Sequence, residues 1–93
     1  MNQSIGTSAR VTANGVAVST ACNLSVVTVT AKGADVNVQL TDGDGGTCLW
    51  EVEADASSGS HTVSFPSPIP FPNGVYVVAD VPVNLTSVCV AVV

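Results

Sequence analysis

Few residues in this chain could do chemistry, and their spacing decides which kind. Asp42-Gly43-Asp44-Gly45-Gly46, with Glu53 twelfth in the count from Asp42, has the outline of a calcium loop. Such a loop wraps carboxylate and carbonyl oxygens around one ion, with glycine sixth and a bidentate glutamate twelfth. Here the sixth position is Thr47 and the glycine stands one place early, at Gly46. Asp42 and Asp44 are thus weak calcium candidates. The expected reading is an acidic hairpin turn, in which glycine accepts positive φ and aspartate satisfies nearby backbone donors.

Cys22, Cys48, Cys89 and His61 are zinc-ligand types, but structural zinc draws on closely spaced cysteine pairs and these four are scattered singly. The expectation is free thiols packed as small core residues. A Cys22–Cys89 disulfide is the alternative, and nothing in the sequence fixes that pairing. His61 sits among Ser57, Ser58, Ser60 and Ser64. A general base needs a nucleophile and an orienting group in reach, whereas a serine-rich turn accounts for these neighbours without catalysis. Glu51 and Glu53 point the same way if they share a strand. As paired acids they lack an aromatic groove, since the aromatic residues are only Trp50, Phe65, Phe71 and Tyr76. No catalytic residue and no cofactor is expected, and an enzyme is the reading set aside.

The elements that would hold these residues are strands. Val36, Val38 and Leu40 alternate with Asn37, Gln39 and Thr41. Cys48, Trp50, Val52 and Ala54 alternate with Leu49, Glu51 and Glu53. A period of two means a sheet with one buried and one wet face, and Trp50 reads as a core anchor. Further strands are expected at residues 10–13, 15–19, 23–32, 59–65, 75–81 and 86–93. Asn14-Gly15 and Asn73-Gly74 read as hairpin turns. The apolar phase slips between Val26 and Val27, which means a bulge or burial on both faces. Four of the five prolines occupy every second position from Pro66 to Pro72, which predicts an extended edge or loop. The final run Val88-Cys89-Val90-Ala91-Val92-Val93 has no polar residue on either parity, as in a central strand or one at an oligomer interface. Seven to eight short strands in one domain predict an all-β, small antiparallel sandwich, Ig-like or jelly-roll-like. Residues 1–8 read as a flexible arm ahead of a domain at 9–93.

Composition narrows the function. Net charge is −5, with Arg10 and Lys32 the only Lys or Arg residues, so neither nucleic acid nor an anionic membrane is an expected partner. No predominantly apolar span reaches the ~18 residues of a membrane helix. The amino terminus lacks the basic-plus-apolar pattern of a secretion signal, which makes reduced thiols the expectation. Charged residues are 10% of the chain, against ~25% in an average soluble domain. Serine, threonine, asparagine and glycine take their place, and uncharged groups cost less to bury than ions.

The order of parts resembles the small β-sandwich proteins of tailed-bacteriophage virions. Val36-Asn37-Val38-Gln39-Leu40-Thr41-Asp42-Gly43 leads into the acidic turn, and a strand ending Phe65-Pro66 follows. Ile69-Pro70-Phe71 and Asn73-Gly74-Val75-Tyr76-Val77-Val78 then precede a valine-rich tail. The resemblance covers residues 15–93 and contains no catalytic motif. It implies a capsid decoration (cement) protein on the virion exterior, assembled in the host cytoplasm and bound to the major capsid protein. It also implies a homo-oligomer, with dimer and trimer both compatible. Three segments are the expected contacts: the amino-terminal arm through Asn2 and Ile5, the proline stretch through Ile69 and Phe71, and the last strand through Val90 and Val92. The alternative is a receptor- or carbohydrate-binding domain of a head or tail fibre, for which Tyr76 is the one aromatic candidate.

Overall fold

The period-two runs become strands, and their apolar parities face one another. The computed structural model describes residues 7–55 and 60–93. Its strands are β1 (Thr7–Val11), β2 (Gly15–Val18), β3 (Cys22–Ala31), β4 (Val36–Asp42), β5 (Cys48–Ala54), β6 (Ser60–Phe71), β7 (Val75–Ala79) and β8 (Leu85–Val92), with a 3-10 turn at Pro82–Asn84. They form two antiparallel sheets, β1-β8-β3-β6 (sheet I) and β2-β7-β4-β5 (sheet II). The chain is a small all-β sandwich. Apart from β4 and β5, consecutive strands always lie in opposite sheets. This is jelly-roll connectivity, eight strands in two Greek keys, and it separates the fold from the Ig-like alternative of four strands against three.

Leu24, Val27 and Val29 of β3, Val36, Val38 and Leu40 of β4, Val75 and Val77 of β7, and Val88 and Val90 of β8 fill the space between the sheets. β-Branched valine suits this place, because its stiff side chain packs well on a pleated surface. Phe71 is the largest fully buried side chain. Trp50 lies on the edge strand β5 and is half-buried. It meets Phe65 edge-on, with ring centroids 6.1 Å apart at 86°, and so closes one side of the core instead of anchoring its centre.

Several expectations are corrected. Asn14-Gly15 and Asn73-Gly74 are corners between sheets, because β1 pairs with β8 and β2 with β7, while β6 pairs with β3. The Asn14 side chain fastens its corner by accepting a hydrogen bond from the Ala79 N–H at 2.8 Å. Gly74 has φ +91°, and a Cβ there would overlap the Val18 carbonyl oxygen. β1 includes Thr7 and Ser8 of the segment read as an arm, and residues 1–6, with Asn2 and Ile5, lie outside the described residues. The phase slip in β3 is a bulge: register shifts between Leu24 and Val26 against both β6 and β8. The proline stretch is an edge strand, as expected, and between Ser64 and Ile69 it leaves register with β3.

Candidate functional site

The glycine-rich acidic turn and the Asn73-Gly74 corner, far apart in sequence, meet at one end of the sandwich. Asp42 ends β4 and Asn73 follows β6. Asp42 Oδ1 accepts the Asn73 backbone N–H at 2.7 Å and Oδ2 accepts its side-chain Nδ2–H at 3.1 Å. Gly43 N–H donates to the Gly74 carbonyl at 3.1 Å, and Thr41 Oγ1 donates to the Gly43 carbonyl at 2.8 Å. A Cβ on Gly46 would overlap the Asp42 carbonyl oxygen, which accounts for a glycine at that place. Each carboxylate oxygen of Asp42 is thus engaged by Asn73. Glu53 lies on β5, opposite Asn37 and away from this turn. The arrangement is a latch between loops, and among the described residues no third His, Cys, Asp or Glu joins the calcium candidates Asp42 and Asp44.

The three thiols lie apart, on β3, β5 and β8, and are all free. Cys48 is exposed, because the register shift opposite Leu40 and Thr41 makes Leu49 a bulge and turns Cys48 off the inward parity. Its Sγ donates to the Trp50 carbonyl at 3.3 Å. Cys22 is half-buried and packs against the core. Burial, and secondarily the nearby Asp42 carboxylate, push its pKa above the usual 9.0. Cys89 is half-buried on the outward parity of β8. Cys22 faces inward and Cys89 outward, and Cys89 pairs with Thr28, about 20 Å along β3 from Cys22 at ~3.3 Å per residue. The Cys22–Cys89 disulfide is excluded by this geometry, and the expectation of three core thiols is corrected. Among the described residues no group of three or more His, Cys, Asp or Glu side chains is placed to hold a metal.

Glu51 and Glu53 share the outward face of β5, where Gln39 Nε2 donates to Glu51 Oε2 at 3.5 Å. They face no groove, and no enclosed pocket forms among the described residues. His61 is exposed on β6, opposite Val29. Tyr76 lies on the outward face of sheet II between Val16 and Thr41. Phe71, Val90 and Val92 are only 0%, 1% and 4% exposed. They are core residues and not contacts, because their parity points between the sheets. Ile69 is half-buried and packs against the core.

What sequence reasoning missed is the outer face of sheet I. Strand register aligns it in rows: Ser8, Ala91, Val26 and Ser64, then Arg10, Cys89, Thr28 and Thr62, with Ser87, Thr30 and Ser60 above. Thr28 and Thr62 hydroxyls bond at 3.0 Å, and Thr30 and Ser60 at 3.1 Å. Such cross-strand hydroxyl pairs tie neighbouring strands together. No acidic side chain lies in these rows. A readable signal existed: six of the seven acids fall between Asp35 and Asp55 and the seventh is Asp80, all outside the strands of sheet I. In comparisons with known proteins, the chain matches no family model, no curated protein and no solved structure.

Proposed function

We propose that this chain is a structural protein of a virion, a decoration or cement protein that binds the major capsid protein and bridges capsomers on the outside of the shell. The observation that carries the reading is the outer face of sheet I, which bears no acid and has Arg10 as its one charged side chain among the described residues. Apart from Arg10 at its border it is a surface of Ser, Thr, Ala, Val and Cys, cheaper to strip of water than one bearing carboxylates, so it suits permanent contact with another protein. The segments singled out in the sequence bear on this face. The proline stretch lies in β6 and the valine-rich tail is β8, both in sheet I. The contact side chains are those of opposite parity to Phe71, Val90 and Val92, namely Pro70, Cys89 and Ala91. Jelly rolls also serve lectins and small-molecule enzymes, so the fold alone does not choose between functions.

Titrating cognate empty heads with the purified chain tests the proposal. Saturation at many copies per particle is the expected result. No binding at any concentration would sink it, and binding at only a few copies would favour the fibre domain instead.

A further inference from the structure

Four strands lie at sheet margins: β1 and β6 in sheet I, β2 and β5 in sheet II. A free margin offers a row of N–H and C=O groups to any passing strand, and native proteins blunt such rows. Three margins here are blunted, each by a different device. Asn23 exchanges both backbone hydrogen bonds with Val93, at 3.0 and 2.9 Å. Its groups therefore point away from β6, and Pro70 opposite it turns its ring nitrogen to the free margin, where it has no proton to donate. On β5, Asn37 is engaged by Asp80, whose N–H donates to the Asn37 carbonyl at 3.0 Å and whose Oδ1 accepts the Asn37 N–H at 2.9 Å. Glu53, opposite Asn37, thus presents its backbone at the margin, with Glu51 two residues away. A second copy paired there about Val52 would set Glu51 against Glu53, and like charges directly opposite destabilise a strand pair. β2 has four residues, and its register breaks between Val16 and Val18.

β1 carries none of these devices. It runs in unbroken register from Thr7 opposite Val92 to Val11 opposite Val88. The Asn23–Val93 pair fixes the alternation along β8. Val93, Ala91 and Cys89 direct their backbone groups to β3, so Val92, Val90 and Val88 direct theirs to β1. Their partners Thr7, Ala9 and Val11 are thereby engaged. Ser8 and Arg10 hold their N–H and C=O groups at the outer margin, and among the described residues no strand pairs with them there.

We infer that this margin pairs with the same margin of a second copy, antiparallel about Ala9. That register sets Ser8 opposite Arg10 of the second copy, and the reverse. Two pairs of two bonds satisfy every margin group of Ser8 and Arg10, while the two guanidiniums avoid direct opposition. Sheet I then runs continuously through both copies, and its acid-free outer face doubles, with the two Arg10 side chains at the seam. Strand spacings give roughly 350 Å² for one face, below the ~500 Å² per partner that is the floor for a biological interface. The doubled face, at about 700 Å², clears that floor and approaches the ~800 Å² per partner of a standard interface. This pairing specifies the self-association named above, but it rests on the margins alone and not on the capsid reading.

The test combines sedimentation equilibrium with amide hydrogen exchange on the full chain. The wild type should sediment at twice the chain mass, with slow exchange at Ser8 and Arg10. Ser8→Pro removes an N–H that the intramolecular ladder does not use, so it should raise the dimer dissociation constant at least tenfold while keeping the fold. Glu53→Pro, at the β5 margin, should leave the dimer intact. A monomer at all concentrations overturns the inference, as does a dimer that survives Ser8→Pro. Protection of Ser8 and Arg10 only after empty heads are added also overturns it, and identifies a strand of the shell as the occupant. If Ser8→Pro does not fold, mass and exchange of the wild type decide alone. A dimer that ignores heads leaves this inference standing and removes only the capsid reading.

Discussion

The two sheets present nearly the same surface to each other and opposite surfaces to the outside. Inward, both are mostly valine, with Leu24, Leu85 and Phe71 in sheet I and Leu40 in sheet II. Outward, sheet II carries Glu51, Glu53, Gln39 and Tyr76, with Asp80 beyond its end, whereas sheet I carries Thr28, Thr30, Thr62, Ser64, Cys89 and Ala91 with Arg10 at its border. The inner likeness is what a sandwich core requires. The outer difference is not needed for folding, since an antiparallel sheet tolerates any polar outer face. It therefore bears on what each side meets. An acidic face stays wet, because burying unpaired carboxylates is costly, and a hydroxyl face gives up its water more readily.

The largest expected effect breaks the shared inner surface. Phe71→Ala should cost the isolated chain about 3–5 kcal/mol by loss of apolar contact and cavity formation. That is a large part of the ~5–15 kcal/mol that holds a typical domain, and denaturant unfolding measures it. A Phe71→Ala chain with wild-type stability would mean that Phe71 is a contact residue after all.

Next is the latch that joins the end of β4 to the corner between sheets. Asp42→Ala leaves Asn73 without both of its partners, and should cost about 1–3 kcal/mol. In a domain of this size each ~1 kcal/mol lowers the melting temperature by about 4–8 °C. Calcium should not shift the melting temperature of the wild type, because Asn73 already holds both Asp42 oxygens. A calcium-dependent rise of several degrees, lost in Asp42→Ala, would overturn that.

The smallest effect sharpens the comparison through the thiols, one inside and two outside. Cys22 should alkylate most slowly, with its pH profile displaced upward, and Asp42→Asn should move the profile partly back. A raised folded-state pKa means that the folded chain holds its proton longer than the unfolded chain. The associated stability is complete below the ordinary thiol value and is lost as pH rises through the raised one. Mass-resolved alkylation across pH reads this directly, and a Cys22 rate equal to that of Cys48 would contradict it.

Much of the fold was legible because a period of two is a local signal. Val36–Leu40 and Cys48–Ala54 declare their inward parity within a few residues, and the β3 bulge shows as a slip in the same pattern. Pairing was less legible. An Asn-Gly corner between sheets uses the same backbone chemistry as a hairpin, so Asn14-Gly15 and Asn73-Gly74 do not reveal which strand comes next to which. The inside of β8 could not be told from its outside. Cys89 and Ala91 are small and apolar, like Val88, Val90 and Val92, so nothing in the residue types marks Val90 and Val92 as the inward parity. The Asp42–Asn73 latch spans thirty-one residues and leaves no periodic trace. The acid-free face emerges only when register brings Arg10, Thr28, Thr62 and Cys89 into one row.

The central claim is that the outer face of sheet I, and not that of sheet II, meets the shell. The most direct measurement is binding to cognate empty heads by two matched double variants, each first shown to melt like the wild type. Thr62→Glu with Ser64→Glu places acids on the face of sheet I, and Glu51→Gln with Glu53→Gln removes them from sheet II. The account predicts that the first loses at least tenfold in affinity, which is about 1.4 kcal/mol, while the second binds as the wild type does. Equal binding by the first variant, or loss confined to the second, would contradict it.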